Sequence, residues 1–285
     1  MKSPCNICLE ETCKGEHNCH CDTCELRTKC PRHLHATIRI TNKCTQKCGH
    51  CCFESSPESN IMMTFEMAQD IATFIKNNDV IYLNLMGGEF FCNPDWYRIF
   101  RVLIEATTFA RIVSNGDWAN SNTVKAQLLK LKDEFEGKFK ISISKDKWHT
   151  NANVEKAEEF LKEKNFLYNV AGEGDMTENS IVPVGRAFLS GTMYSMFQCF
   201  CHEPDKKYAF LIDEDGDIFK CEFGHFAYAN IHEYMDGGFD ARFKEYNQAF
   251  YKVFIPSCAT CARYCTFLPQ EKKEEYGRKI IVEKK

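Results

Sequence analysis

From residue 36 to residue 184 the chain repeats one pattern, a short β-branched run followed by a stretch whose apolar residues fall three and four apart. Residues 36–41, 80–86, 110–113, 139–144, 166–170 and 181–184 read as strands. Between them, Thr64 announces a helix carrying Phe65, Ala68, Ile71, Ala72 and Ile75, and Pro94 opens a second through Trp96, Ile99, Phe100, Leu103 and Ile104. Two more helices are expected at 121–134 and 152–164. Strands joined through helices require right-handed crossovers and a parallel sheet. The pattern predicts an α/β fold, a partial (β/α)6 TIM-like barrel, with its chemistry at the C-terminal strand ends.

Distinctive residues fall at those ends. After the first strand comes Cys44-Thr45-Gln46-Lys47-Cys48-Gly49-His50-Cys51-Cys52, with Cys44, Cys48 and Cys51 at C-x3-C-x2-C spacing. Thiolates ligate iron–sulfur clusters, and a cubane has four irons. Three cysteines therefore leave one iron open, as a catalytic zinc leaves one position free of protein. A zinc knuckle or a chance cysteine cluster is the plainer reading of the spacing. Gly87-Gly88-Glu89 closes the second strand and Ser114-Asn115-Gly116 the third. Glycine allows close backbone approach to a ligand, and both tripeptides also read as ordinary turns. Alternation places Ser142 and Ser144 on one face of the fourth strand, where buried structural hydroxyls are the alternative. Asp146, Trp148 and His149 follow, and a histidine there reads first as a solvated loop residue.

The 285 residues suffice for one large α/β domain plus an appendage. A net charge of −4, from 36 basic and 40 acidic residues, argues against general affinity for nucleic acid or anionic membrane. No run of about 18 apolar residues could span a bilayer. The N-terminus lacks the apolar core of a secretory signal, so secretion is not expected. The 18 cysteines crowd into 5–30, 44–52 and 199–265, with Cys92 alone between. Disulfides would staple the whole fold, whereas metal ligands cluster locally. These features point to a cytoplasmic, oxygen-sensitive metalloprotein. Cys52 and Cys92 read as small buried hydrophobes.

Residues 1–35 hold Cys5, Cys8, Cys13, Cys19, Cys21, Cys24 and Cys30 with almost no apolar periodicity. A metal must supply most of the folding energy there, as zinc or as a further cluster. In the third patch, Cys199, Cys201 and Cys221 flank a β-hairpin expected around Asp215-Gly216. Cys258, Cys261 and Cys265 complete it. The expected division is 1–35, 36–198 and 199–285, the last a small cysteine-rich C-terminal domain.

The C-x3-C-x2-C loop followed by Gly87-Gly88-Glu89 at the end of the next strand resembles the radical S-adenosylmethionine (SAM) superfamily. His50 stands where that family is usually aromatic, and Phe90 where it often has proline. The resemblance implies that Cys44, Cys48 and Cys51 hold a [4Fe–4S] cluster whose free iron chelates SAM. It also implies that Gly87, Gly88 and Glu89 receive the SAM amino group. Ser114 and Asn115 resemble the family's T-N-G strand ending, and Ser142, Ser144 and Asp146 its ribose- and carboxylate-contacting stretch. Pro183-Val184-Gly185-Arg186-Ala187 is similar to a P-x-G-R-A ending in which Arg186 pairs with a carboxylate. Cys201-x14-Gly216-x4-Cys221 and Ala229-Asn230-Ile231 resemble SPASM and twitch auxiliary-cluster domains, although the closing cysteine set is shortened. The implied activity is an oxidoreductase modifying a ribosomal peptide by oxidation, crosslinking or epimerisation. A reductant such as flavodoxin or ferredoxin is implied, and peptide capture would need another route or a separate peptide-recognition protein. A small-metabolite dehydrogenase or isomerase, a glycyl-radical activating enzyme, and a non-enzymatic iron–sulfur or zinc module are the alternatives.

Overall fold

The computed structural model describes residues 34–146, 149, 153–172, 209–219 and 227–243. Strands β1 (Leu34–Arg39), β2 (Val80–Met86), β3 (Phe109–Ser114), β4 (Phe139–Ser144) and β5 (Tyr168–Ala171) pair in chain order, all parallel. Helices α1 (Phe65–Asn77), α2 (Trp96–Ala106), α3 (Asn122–Glu134) and α4 (Asn153–Glu163) make the crossovers. The expected strand–helix alternation is therefore present through residue 171. The expected first strand lies two residues earlier than its 36–41 pattern suggested. The second helix starts at Trp96 because a 3-10 turn, Phe90–Cys92, intervenes, and Asn93 is turned inward. That side-chain amide donates to Ile40 O at 2.9 Å and to Met63 O at 3.0 Å, occupying two buried carbonyls. The strand expected at 181–184 lies outside the described residues.

On the other edge of β1 the sheet continues through β6 (Ala209–Ile212), β7 (Asp217–Phe219) and β8 (Ala227–Asn230). β6 is parallel to β1, and β7 and β8 return antiparallel. The hairpin expected around Asp215-Gly216 is β6–β7. Gly216 takes φ +80°, which its turn requires and few other residues adopt cheaply.

The two faces of the sheet differ as period-2 alternation demands. Ile38, Leu83, Leu85, Ala110, Ile112, Ile141 and Ile143 are wholly buried on the side packed by the helices. Thr37, Asn84 and Arg111 sit side by side on the opposite face. There Arg111 Nε donates to Asn84 Oδ1 at 2.7 Å, and Asn84 Nδ2 to Thr37 Oγ1 at 3.5 Å. The face away from the helices is thus polar across β1, β2 and β3. Among the described residues no helix is long and apolar enough to cross a membrane.

Candidate active site at the ends of the parallel strands

Beyond β1 the chain is pinned at each step before the cysteines begin. Met63 N donates to Ile40 O, Asn42 N to Ile61 O and Cys44 N to Ser56 O, at 2.9–3.1 Å. The turn after β2 closes on this segment: Gly88 N donates to Thr41 O at 2.8 Å and Glu89 N to Lys43 O at 2.9 Å. A Cβ on Gly87 would lie 2.4 Å from Thr41 O, and one on Gly88 2.2 Å from Lys43 O. The glycines are thus required by the approach of the chain to itself. This reason differs from the ligand approach that the sequence suggested.

Glu89 is 1% exposed and accepts from Ser114 Oγ and from Asn115 N, each at 2.8 Å. Burial pushes its carboxyl up to about 7, against the pull of those two donors. As placed, it braces the end of β3, while Gly87, Gly88, Ser114 and Asn115 line the pocket. Gly116, at φ +87°, lets the chain turn against α4, and Asp117 becomes a hub. Its carboxylate accepts from Thr45 Oγ1, from Gln46 Nε2 at 3.3 Å and from Asn153 Nδ2 at 3.0 Å. Asp117 therefore holds the cysteine loop against the end of β3. Nothing in the local sequence marked it, since its partners are 36 to 72 residues away.

Cys44, Cys48 and Cys51 all line this one pocket, and none of the three is in a disulfide. Cys44 Sγ accepts from Gln46 N at 3.4 Å and lies 3.8 Å from Asn115 Nδ2. Burial pushes its thiol up to about 12, with Glu89, Cys48 and Cys51 adding further repulsion. Three converging thiols beside a buried carboxyl are stable as thiolates only with positive charge among them, which iron supplies. The donor set fits a cubane held at three corners. Cys52 also lines the pocket, whereas Cys92 is half-buried with its thiol raised to about 11 by burial.

Of the fourth-strand residues, Ser144 reaches the pocket. Ser142 is buried and accepts from Asn169 Nδ2 at 3.1 Å. Asp146 and His149 are partners: Asp146 Oδ2 lies 2.8 Å from His149 Nδ1, and the side chains are 4% and 16% exposed. His149 lines the pocket beside His50, so the solvated-loop expectation is corrected. Arg186 lies outside the described residues, as do the N-terminal cysteines and Cys199, Cys201, Cys221, Cys258, Cys261 and Cys265.

Comparison with known proteins agrees with this geometry. Residues 38–170 match the Radical SAM superfamily. Over 116 residues the chain is 29% identical to the antilisterial bacteriocin subtilosin biosynthesis protein AlbA of Bacillus subtilis (strain 168), covering 41% of this chain and 25% of AlbA. It is 32% identical over 90 residues to the putative peptide biosynthesis protein YydG of the same organism, covering 30% of this chain and 27% of YydG. The matched parts thus span about a quarter of either relative. The fold is similar to the crystal structure of BtrN in complex with AdoMet and 2-DOIA, with TM-score 0.54 and 13% identity. That likeness covers 75% of this chain and 82% of BtrN. The superfamily implies a [4Fe–4S] cluster and SAM. The radical SAM superfamily is thus what residues 38–170 match, a little under half of the chain.

Proposed function

We propose that this protein is a radical SAM enzyme that modifies a ribosomally made peptide. The observation that carries the reading is that Cys44, Cys48 and Cys51 share a pocket with Gly87, Gly88, Ser114 and Asn115. The peptide class rests on the two relatives, one named for bacteriocin biosynthesis and one for peptide biosynthesis. When bound, the cluster and SAM supply a 5′-deoxyadenosyl radical that removes a hydrogen atom from an unactivated carbon.

The chain's own residues supply placement. Cys44, Cys48 and Cys51 would hold three irons of the cluster. Gly87, Gly88, Ser114 and Asn115 would receive the methionine end of SAM. Glu89 would act on it through Ser114 and Asn115, which it braces, and Ser144 would be offered to the ribose. Arg186 pairs with a carboxylate of SAM or substrate. Asp117 keeps the cysteine loop in register with β3. Cys199, Cys201, Cys221, Cys258, Cys261 and Cys265 belong to a SPASM- or twitch-like auxiliary cluster. The N-terminal patch holds a further metal, and an external reductant of the flavodoxin or ferredoxin kind delivers the electron.

The test is reduced, anaerobic enzyme incubated with SAM and candidate precursor peptides, scoring 5′-deoxyadenosine and peptide mass. Wild type releases 5′-deoxyadenosine slowly alone and changes the mass of its own peptide. Cys48→Ala lowers release by at least about a thousandfold, since the loss removes an essential group. Cys265→Ala spares SAM cleavage and stops product formation. SAM cleavage surviving in Cys48→Ala would refute the loop assignment.

A further inference from the structure

Three metal-ligating side chains from two segments of the chain meet beside the cysteine pocket, and the proposed reaction uses none of them. His50 belongs to the cysteine loop, Asp146 follows β4, and His149 lies three residues further on. One ligand atom from each lies within 4.8 Å of the other two. His149 Nδ1 is 2.8 Å from Asp146 Oδ2, and the His50 and His149 rings meet edge to face with centroids 4.9 Å apart. Both imidazoles line the pocket, and the Asp146 carboxylate is nearly buried beneath His149.

We propose that His50, Asp146 and His149 form a mononuclear site for a divalent transition ion of the zinc class, separate from the cubane. Two imidazoles and one carboxylate suit Zn²⁺, Fe²⁺ or Co²⁺, whereas Mg²⁺ and Ca²⁺ prefer all-oxygen shells. Tetrahedral zinc with bonds of about 2.1 Å holds its ligand atoms about 3.4 Å apart. The His149–Asp146 pair is already inside that value, and the other separations are no more than 4.8 Å. Three protein ligands leave one coordination position for water or a substrate heteroatom, and His50 and His149 both line the pocket. The ion would tie the segment after β4 to the loop that carries the cubane. It also gives Asp146 a role other than touching SAM.

The chemistry separates the two sites. The cubane site is three thiolates, and this one is nitrogen and oxygen throughout, so mutating either leaves the other's donors complete. Holoenzyme reconstituted with iron and sulfide is stripped of loosely held metal with EDTA, incubated anaerobically with excess Zn²⁺ and desalted. Zinc and iron per chain are then counted by mass spectrometry. Wild type is expected to retain one more zinc per chain than either His149→Ala or Asp146→Asn, with iron the same in all three. The cysteine patches at both ends of the chain are common to the three proteins and cancel in the difference. Equal zinc in all three overturns the proposal. Loss of iron together with zinc in both variants overturns it too, because the residues would then serve cubane assembly. The readout is zinc rather than turnover, so failure here leaves the proposed peptide reaction standing. Failure of that reaction leaves the zinc count unmoved.

Discussion

The two sides of β1 are held together by different forces. Toward β2 and β3, beyond the strand ends, the contacts are polar and close: glycine turns against backbone, a buried glutamate, and an aspartate hub. Toward β6 the contact is aromatic. Phe74 of α1, Phe210 of β6, Phe239 and Phe243 form one cluster with ring centroids 4.8–6.3 Å apart, and all four are almost fully buried. The first arrangement fixes positions to fractions of an ångström at little gain in stability. The second gains about 1.5–3 kcal/mol for each ring buried and tolerates small shifts. Geometry for chemistry is thus concentrated on one side of the strand, and adhesion on the other.

Truncating a ring should break this contrast most visibly. Phe210→Ala is expected to cost about 3–5 kcal/mol in denaturant unfolding of the cluster-free protein. Release of 5′-deoxyadenosine per folded chain should stay within about threefold of wild type. Equal losses of stability and SAM cleavage would mean that the two sides of β1 are one energetic unit.

Gly88→Ala tests the other side. Its methyl would sit 2.2 Å from Lys43 O, so one of two backbones must move. Stability should fall by about 2–3 kcal/mol, in the range for overpacking. The decisive sign is iron content after reconstitution, which should drop by more than the fraction unfolded, because Lys43 adjoins Cys44. Full iron in Gly88→Ala would show that the turn does not position the cysteine loop.

What could be read in the sequence follows the same division. Strand and helix periods are local, so the β1–β5 alternation and the residues at its ends are legible in the sequence alone. The docking of β6 on β1 was not, because Ala209 and His35 are paired across 174 residues and no local period encodes the partner. The glycines after β2 stand out in the sequence, but their cause, Thr41 O and Lys43 O, is a contact between separate segments. His149 resembled any loop histidine until its carboxylate partner and His50 came into view. Cys44, Cys48 and Cys51 stood out because their ligand spacing is itself local.

Glu89 provides a pH signature for the polar side. Its carboxyl is raised from 4.5 to about 7, so the folded chain keeps a proton that the unfolded chain releases near pH 4.5. Between those values the folded state binds more protons. Stability of the cluster-free protein therefore falls as pH rises through that window and levels off above about 7. The total fall from this group is at most about 3 kcal/mol. Glu89→Gln should flatten the profile, as followed by denaturant midpoints at pH 5, 6, 7 and 8. An unchanged slope would show that this carboxyl is already ionised in the folded protein at pH 5.

The smallest effect should come where the two sides meet at the end of β1. Arg39 donates to Glu214 Oε2 at 2.8 Å, lies 3.8 Å from Asp213 Oδ2, and has its guanidinium 5.5 Å from the Phe53 ring centre. It thereby links the β6–β7 turn to the chain just past Cys52. Burial raises the Glu214 carboxyl and Arg39 lowers it. In Arg39→Met the carboxyl can take up a proton instead of remaining a lone buried charge. The loss should then be about 1–2 kcal/mol at pH 8 and smaller at pH 5, where protonation is easier. Adding Glu214→Gln to Arg39→Met should recover most of the pH 8 loss, since the carboxylate left there, Asp213, still accepts from the Asp215 and Asp217 backbone N–H groups. A loss independent of pH, or no recovery in the double variant, would identify packing of the arginine stem against Phe53 as the contribution. The polar style of contact would then end at β1.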